Sequence, residues 1–437
     1  MEKEFKNLLK SDFPYLCNSK LLIAVSGGVD SVVLVHLCKL ARLNFAMAHC
    51  NFNLRGEESD EDEKFVIDLA DALEVEVFTQ RFDTESFAGE TGISIQMAAR
   101  DLRYDWFNEL VSAIKFDYIL TAHHANDNIE TFLINLVRGS GIEGFTGIKA
   151  ENNNLLRPLL KFSRKEIESF AVNNNLSWRE DSSNASSKYL RNKIRHQIIP
   201  VMEEINPQLL ESFSKTQDHL RESFDLIEDY ISLLYSQIVS KNRFGYSLKI
   251  EVLERVHNQK AVLFHLLKTF GFKEWNDVVD LIKAQPGKMV VSETHRLIKD
   301  REYLLLTEIP SVRSRQFFEI SEGEEVVMLP IGTFTLSEVK NIEETSPLCV
   351  YLSMEKISYP LELRQWQEGD IFHPFGMKGK KKLSDFFQDK KLSLPEKENT
   401  WLLCSGGEIV WVVNQRADAR FAITKPSEKI LKITCSL

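Results

Sequence analysis

Residues 21–40 read LLIAVSGGVDSVVLVHLCKL, and the middle of this stretch decides the fold. Leu21 to Val25 is an apolar run too short for a helix and suited to a buried parallel strand. Val32 to Leu40 is long and apolar enough for a helix packed on a sheet. Between them, Gly27 and Gly28 allow backbone angles and close approaches that a side chain forbids. Ser26 and Ser31 add hydroxyls, and the first amides of the following helix face an incoming anion. The pattern describes a phosphate cradle. No Gly-Lys-Ser/Thr follows the glycines and the spacing is not G-x-G-x-x-G, which sets aside two common nucleotide loops. Asp30 inside the loop would repel phosphate unless a cation stood between them, which points to Mg²⁺. On the glycines alone, an ordinary strand-to-helix turn competes equally; the whole hexapeptide favours the cradle.

Outward from this loop, strand and helix signals alternate to about residue 160. LNFAMAHC, VEVFTQRF and FDYILTAHH read as strands, while ESDEDEKFVIDLADAL, SIQMAARDLRYDWFNELV and DNIETFLINLV read as helices. This alternation predicts an α/β fold, a doubly wound parallel sheet whose ligand crevice lies at the strands' C-terminal ends, where the Ser26 loop sits. SRKE at 163–166 has the form of a capping box opening the next helix. From 208 to 310 the pattern becomes mainly helical, with LLESFSKTQDHLRESFDLIEDYISLLYSQI reading as one long helix. Beyond it, LELRQWQ, WLLCSG and EIVWVVN predict a small α+β C-terminal domain. The expected divisions are 1–207, 208–310 and 311–437, the last a linker followed by a core over about 360–437.

At 437 residues, two or three domains are expected. The chain is 43% hydrophobic and 27% charged, with no apolar run of membrane-spanning length. Its N-terminus mixes acidic and basic residues, unlike a secretory signal. Six scattered cysteines without a C-x-x-C pair argue against disulfide frameworks and zinc sites, and fit a reducing cytoplasm. A net charge of −10 argues against indiscriminate nucleic-acid binding but leaves room for local basic surfaces. Two stand out: KYLRNKIRH at 188–196 and KGKKK at 378–382. Each is either a solvated charged face or a set of phosphate contacts.

Further groups carry chemistry. In TAHHANDNIET (121–131), Asp127 and Glu130 are three apart and share a helical face, placed to hold Mg²⁺ or an ammonium group. The bland reading is a helix start enriched in acids for dipole reasons. Zinc at His123 and His124 is disfavoured, because adjacent histidines rarely chelate one ion. Arg100 and Arg103 lie on one side of a helix, as do Arg191 and Arg195, suiting phosphate; pairing with Asp101 or Asp105 explains the first two equally well. Asp181 and Asn184 in WREDSSN fit turns, and the acidic run EESDEDE (57–63) fits a helix start better than a metal site.

Ser26-Gly27-Gly28-Val29-Asp30-Ser31 resembles the SGGxDS loop of the ATP-pyrophosphatase (PP-loop) superfamily, whose members split ATP between the α and β phosphates and adenylate an oxygen. HCNFNLRGEESDEDE, AARDLRY, TAHHANDNIETFLINLVRGSGIEGF, RPLL, SWREDSSN and RNKIRHQIIP resemble, in order, the motifs of the tRNA(Ile)-lysidine synthetase family. LRQWQEGDIFHPFGMKGKKKLSDFF at 363–387 resembles that family's C-terminal tRNA-binding module. The resemblance covers most of the chain and is weakest through the helical middle. It implies a cytoplasmic ligase acting on ATP, L-lysine and an isoleucine tRNA with a CAU anticodon, with a homodimer among the assemblies it admits. The C2 oxygen of the first anticodon cytidine would attack the α phosphate, and the lysine ε-amino group would then displace AMP. The product, lysidine, changes decoding from AUG to AUA.

On this chain the resemblance implies ATP binding by Ser26, Gly27, Gly28, Val29, Asp30 and Ser31. It implies catalytic roles for Asp30, Asp127, Glu130 and Arg195, Mg²⁺ or lysine at Asp30 and Asp127, and a lysine partner in Glu130. Arg100, Arg103, Arg191, Arg195, Lys378, Lys380, Lys381 and Lys382 are the expected tRNA contacts, with Phe386 and Phe387 beside the lysines. The chain departs from the family at Asn126, where a second aspartate is usual, and at Asn53, where a histidine is usual. Three rivals remain. A thiolating relative needs catalytic cysteines or an iron–sulfur cluster, and these cysteines are isolated. A small-molecule synthetase needs an ammonia source, and residue 2 is Glu2 rather than a nucleophilic cysteine. A decayed RNA-binding protein would keep tRNA affinity without turnover.

Overall fold

The computed structural model describes residues 1–180, 190–310, 317–329, 331–343, 346–424 and 429–436, which gather into two units, Met1–Glu228 and Asp229–Leu437. Asp181, Asn184 and Lys188 lie outside the described residues.

The first unit begins with α1 (Glu2–Asp12), β1 (Lys20–Ala24), α2 (Val29–Leu40), β2 (Asn44–Asn51), α3 (Glu57–Leu73) and β3 (Val77–Arg81). It continues through α4 (Thr84–Thr91), α5 (Ile95–Ile114), β4 (Tyr118–Leu120), α6 (Ala125–Arg138) and α7 (Ile142–Phe145). Two short strands, β5 (Glu151–Asn152) and β6 (Leu155–Leu156), precede α8 (Arg164–Asn173), α9 (Leu190–Lys193) and α10 (Ile199–Ile205). The long helix α11 (Leu209–Ile238) starts here and ends in the second unit.

The sheet runs β3-β2-β1-β4-β6-β5, parallel except for the β5–β6 pair. Strand order reverses between β1 and β4, so their carboxyl ends form a topological switch point. Leu21 and Ile23 pack toward α1, α2 and α8, while Leu22 packs toward α5, and all three are fully buried. Burial on both faces is why this strand reads as a continuous apolar run. The helix after the loop begins at Val29, three residues before the apolar run, because Asp30 and Ser31 occupy its first turn.

At α8 the capping box forms: Ser163 Oγ accepts from Glu166 N–H at 3.2 Å, and Glu166 accepts from Ser163 N–H at 2.7 Å. Between α9 and α10 the backbone widens into a π-helical turn over Ile194–Ile198. Pro200, lacking an N–H, follows it and cannot continue the regular ladder. Ile194 and Ile199 pack on Ile129 of α6, fixing this turn against the sheet's ligand edge.

In the second unit the end of α11 and the helices Ile250–Arg255, Gln259–Leu267 and Trp275–Asp280 are joined by an antiparallel sheet that their periodicity did not announce. Its strands run in the order Val239–Asn242, Gly245–Lys249, Tyr303–Glu308, His295–Lys299 and Met289–Val291. A two-stranded antiparallel pair, Ile371–Phe372 with Lys381–Lys382, and two larger antiparallel sheets of five and four strands follow. Residues 317–353, expected as linker, supply strands to the two larger sheets, and Gly332–Val339 pairs with the C-terminal strand Ile430–Ser436. Those partners stand far apart in sequence, so nothing local signals the pairing. No helix among the described residues is long and apolar enough to cross a membrane.

Candidate active site

The Ser26 loop leaves β1 with Gly27 at φ +89°, in the left-handed region that disfavours side chains. Gly28 has an ordinary extended backbone (φ −71°), so the two glycines do not share one task. Ser31 staples the loop: its hydroxyl donates to Gly28 C=O at 2.9 Å and accepts from Ser26 N–H at 3.3 Å. The first helical bond is Val32 N–H to Gly28 C=O at 3.1 Å, so the amides of Val29, Asp30 and Ser31 precede the ladder. Arg179 N–H donates to Gly27 C=O at 2.9 Å, and its guanidinium binds Asp62 and Glu61 of α3. Arg55 also binds Asp62, while Arg81 binds Asp60 and Glu63. The acidic run is thus a helix start spent on arginines, and it steadies the loop from outside.

Beside the loop lies a cleft of about 240 Å³ at the switch point. Ser26, Asp30 and Ser31 line one side, Thr121, His123 and Asp127 another, and Cys50, Phe52, Arg103, Tyr104, Phe107 and Arg191 the rest. Buried His124 lies between two carboxylates, its Nε2 3.7 Å from Asp30 Oδ1 and 3.6 Å from Asp127 Oδ2. Asp127 Oδ2 also accepts the His124 backbone N–H at 3.0 Å. Burial pushes the Asp30 carboxyl up, only partly offset by His124, Arg164 and Arg195. Burial acts the same way on Asp127, but the neighbouring imidazoles, the His124 N–H and Arg191 outweigh it and hold the carboxyl below its ordinary value. His123 is driven down to about 4 by burial, so its imidazole is neutral at pH 7.

Glu130, expected beside the lysine, does not line the cleft. It is fully buried, and Arg195 donates to it through Nε at 2.6 Å and through a terminal nitrogen at 3.1 Å. Arg191 Nε sits 3.2 Å from Glu130 Oε2, the oxygen that also accepts from the Arg195 terminal nitrogen. Glu130 therefore holds two arginines in place, one of which lines the cleft. Arg195 reaches Asp127 at 3.6 Å from behind. Arg100 and Arg103 form no carboxylate pair among the described residues. They lie over aromatic rings, Arg100 over Tyr104 at 5.0 Å and Arg103 over Phe52 at 5.2 Å. Both join Arg138 and Arg191 along a neighbouring groove of about 560 Å³, which shares Arg103 and Arg191 with the cleft.

Arg164 was not among the expected site residues. Its guanidinium binds Asp30 Oδ2 and Glu168, and its backbone N–H donates to Asn126 Oδ1 at 2.9 Å. No local pattern links it to the loop, since it stands 134 residues from Asp30. The departure at Asn126 now has a structural meaning: its side chain caps the start of α8, a task for any acceptor oxygen. It removes no carboxylate from the cleft. Asn53 lies on the surface in a left-handed turn (φ 52°), a conformation asparagine tolerates. Arg164→Ala is expected to lower turnover roughly 10–100-fold with Arg164→Lys partly restoring it, the usual size for a residue that orients a ligand-holding group. Asn126→Asp, which keeps the acceptor, is expected to leave turnover near the wild-type rate in the same assay.

The two carboxylates also suit Mg²⁺. Asp30 Oδ1 is buried without a hydrogen-bond partner, and together with Asp127 it offers hard oxygen donors of the kind Mg²⁺ takes alongside substrate phosphates. The described residues bring no three His, Cys, Asp or Glu side chains together as a metal cluster. In the second unit, Lys378, Lys380 and Lys382 are exposed and Lys381 pairs with Asp389. Phe386 and Phe387, expected beside them at the surface, are core residues packed with Phe372 and Leu402.

Residues 1–202 match a family described as the PP-loop domain. Residues 241–309 match the TilS substrate binding domain, and 361–434 the TilS substrate C-terminal domain. The chain is 41% identical to the tRNA(Ile)-lysidine synthase of Parabacteroides distasonis, covering 97% of this chain and 96% of that one. It is 36% identical to that of Bacteroides thetaiotaomicron, covering 97% of each. It is 30% identical to that of Clostridium perfringens over 99% of each. With its phosphate loop, paired carboxylates and arginines on one cleft, and with relatives matching end to end, the chain belongs to the tRNA(Ile)-lysidine synthase family.

Proposed function

We propose that this protein uses ATP to join L-lysine to C2 of the first anticodon cytidine of an isoleucine tRNA bearing CAU, releasing pyrophosphate and AMP. The observation that carries the reading is the cleft at the switch point, which sets the Ser26 loop, the Asp127 carboxylate and the guanidinia of Arg103 and Arg191 around one small space. The cytidine C2 oxygen bonds to the α phosphorus as the bond to the β phosphate breaks. The free amides at the start of α2, with Arg191, stabilise the departing pyrophosphate. Asp30 and Asp127 would hold Mg²⁺, which when bound neutralises charge on the phosphates. Phe52, Tyr104 and Phe107 give the unstacked base an apolar wall. Asp127, held ionised, receives the ammonium end of lysine. The ammonium releases a proton to solvent, the neutral amine forms the C–N bond at C2 and releases its second proton, and the C2–O bond breaks so that AMP leaves with the oxygen.

A thiolation reading would need a reactive sulfur. The cleft holds one thiol, Cys50, and burial pushes it up to about 12, so it stays protonated and poorly nucleophilic. The deciding assay mixes the protein with ATP, Mg²⁺, radiolabelled lysine and a CAU-anticodon isoleucine tRNA transcript, with initiator methionine tRNA as control. Label is expected in the isoleucine tRNA alone. Pyrophosphate release with a different acceptor, and no label, would keep the ATP chemistry and discard the substrate.

A further inference from the structure

Arg157 follows β6 at the carboxyl edge of the first unit's sheet. The two residues of that strand alternate: Leu155 packs with Phe107 of α5, and Leu156 with the residues of the α2 side. The alternation turns Arg157 back toward α5, the side from which Tyr104 and Phe107 line the cleft. Thr121 N–H donates to Leu156 C=O at 3.0 Å, so Arg157 stands beside the Thr121–His123 edge of the site. The main chain fixes it there. Its own N–H donates to Ala150 C=O at 2.9 Å, and its Nη1 donates to Lys149 C=O at 2.7 Å.

The charge has no counter-ion. Arg157 is 8% exposed, and its Nε is buried without a hydrogen-bond partner. Its side chain faces the Tyr104 phenol, and Arg100, lying over the Tyr104 ring, adds repulsion. Among the described residues no carboxylate pairs with it. Arg296, sealed to the same 8%, is by contrast bidentate to Glu398. Burial pulls the Arg157 pKa below the ordinary arginine value, yet a guanidinium stays charged at neutral pH. A sealed and unpaired charge costs folding free energy, and sites that bind ions are where such groups are kept.

We infer that Arg157 is a positioning residue, a buried charge whose counter-ion is a substrate phosphate held in the cleft. The inference rests on the function proposed above. Two groups that line the cleft face this charge: the Tyr104 phenol, and His123, whose imidazole Arg157 helps to keep neutral. Arg103 and Arg191 line the same cleft, so a phosphate there meets cations at the wall and another behind it. Both ATP and the nucleotides flanking the target base bring phosphate to this space. In a sealed site the attraction is screened little, so one cation behind the wall still acts on the ligand.

The test uses the full-length protein and measures thermal unfolding without ligands. It also measures affinity for ATP with Mg²⁺, for an anticodon stem–loop and for L-lysine, each alone. Arg157→Met, similar in length but uncharged, is expected to unfold at a temperature no lower than the wild type. Lys149 is exposed and Tyr104 half-buried, so the polar groups it leaves can turn to water. The same variant should weaken phosphate-ligand binding roughly 10–100-fold, the size for a group one layer behind the ligand, and the loss should survive added salt. Arg157→Lys keeps the charge and should recover most of that affinity, and Tyr104→Phe should lose less than Arg157→Met. A loss with ATP assigns the ATP phosphates, and a loss with the stem–loop assigns those flanking the target base; either supports the inference. A destabilised methionine variant, a lysine variant as weak as methionine, a Tyr104→Phe loss equal to it, or a loss confined to L-lysine would each overturn it. If wild-type protein binds neither ATP nor the stem–loop, the proposed function falls as well. If it binds both and transfers lysine while Arg157→Met behaves identically, this inference alone falls.

Discussion

Asp30→Asn is expected to lower lysine transfer by about 10²–10³-fold, the usual loss when one preorganised charge is removed, while raising the unfolding temperature. The two effects share a cause. Asp30 is half sealed by the fold, and its Oδ1 has no hydrogen-bond partner, so the ionised carboxylate costs folding free energy until substrate and cation arrive. Its carboxyl is raised in the folded state, so the unfolded chain releases this proton at lower pH than the folded one. Stability attributable to Asp30 is therefore greatest at low pH and falls as pH rises through that window. Asparagine copies the protonated form and still offers Arg164 an acceptor oxygen, so the gap in stability between variant and wild type opens with rising pH. Thermal unfolding at several pH values and single-turnover incorporation of labelled lysine read the two effects separately. A variant that is both inactive and less stable at pH 7 would make Asp30 a structural partner of Arg164 instead.

Glu130→Ala is expected to destabilise the protein by about 2–3 kcal/mol and to reduce lysine transfer to near background. Removing one partner of a buried ion pair typically costs about 3–5 kcal/mol; the lower figure allows for the partial exposure of both arginines. Arg191 and Arg195 are 44% and 32% exposed and retain some hydration, whereas Glu130 is fully buried. Without the carboxylate the two guanidinia repel each other, and Arg191 loses its aim into the cleft. Glu130→Gln keeps the shape and two polar atoms but not the charge, and should lie between alanine and wild type. Urea unfolding midpoints and turnover check this. An alanine variant with the wild-type midpoint would show that Glu130 does not hold the arginines.

The sequence alone determined what depends on near neighbours. The apolar run at Leu21, the serines and Gly27 of the loop, the Ser163–Glu166 box and the amphipathic length of α11 act within a few residues. Their signals survive without a partner. The same holds for the parallel sheet, since alternating strands and helices admit few other packings. Tertiary structure decided which charges meet. Asp30 takes Arg164, Gly27 takes Arg179, and Glu130 takes two arginines from a turn more than sixty residues on. Arg100 and Arg103 pass over nearby acids for aromatic faces. It also decided that Phe386 and Phe387 are core while Phe375 is surface, and that 317–353 is sheet rather than linker. The physical reason is range. Helix periods, caps and turns are set by bonded geometry over a few residues, whereas a charge or an aromatic ring is assigned its neighbour by packing that the distant chain supplies.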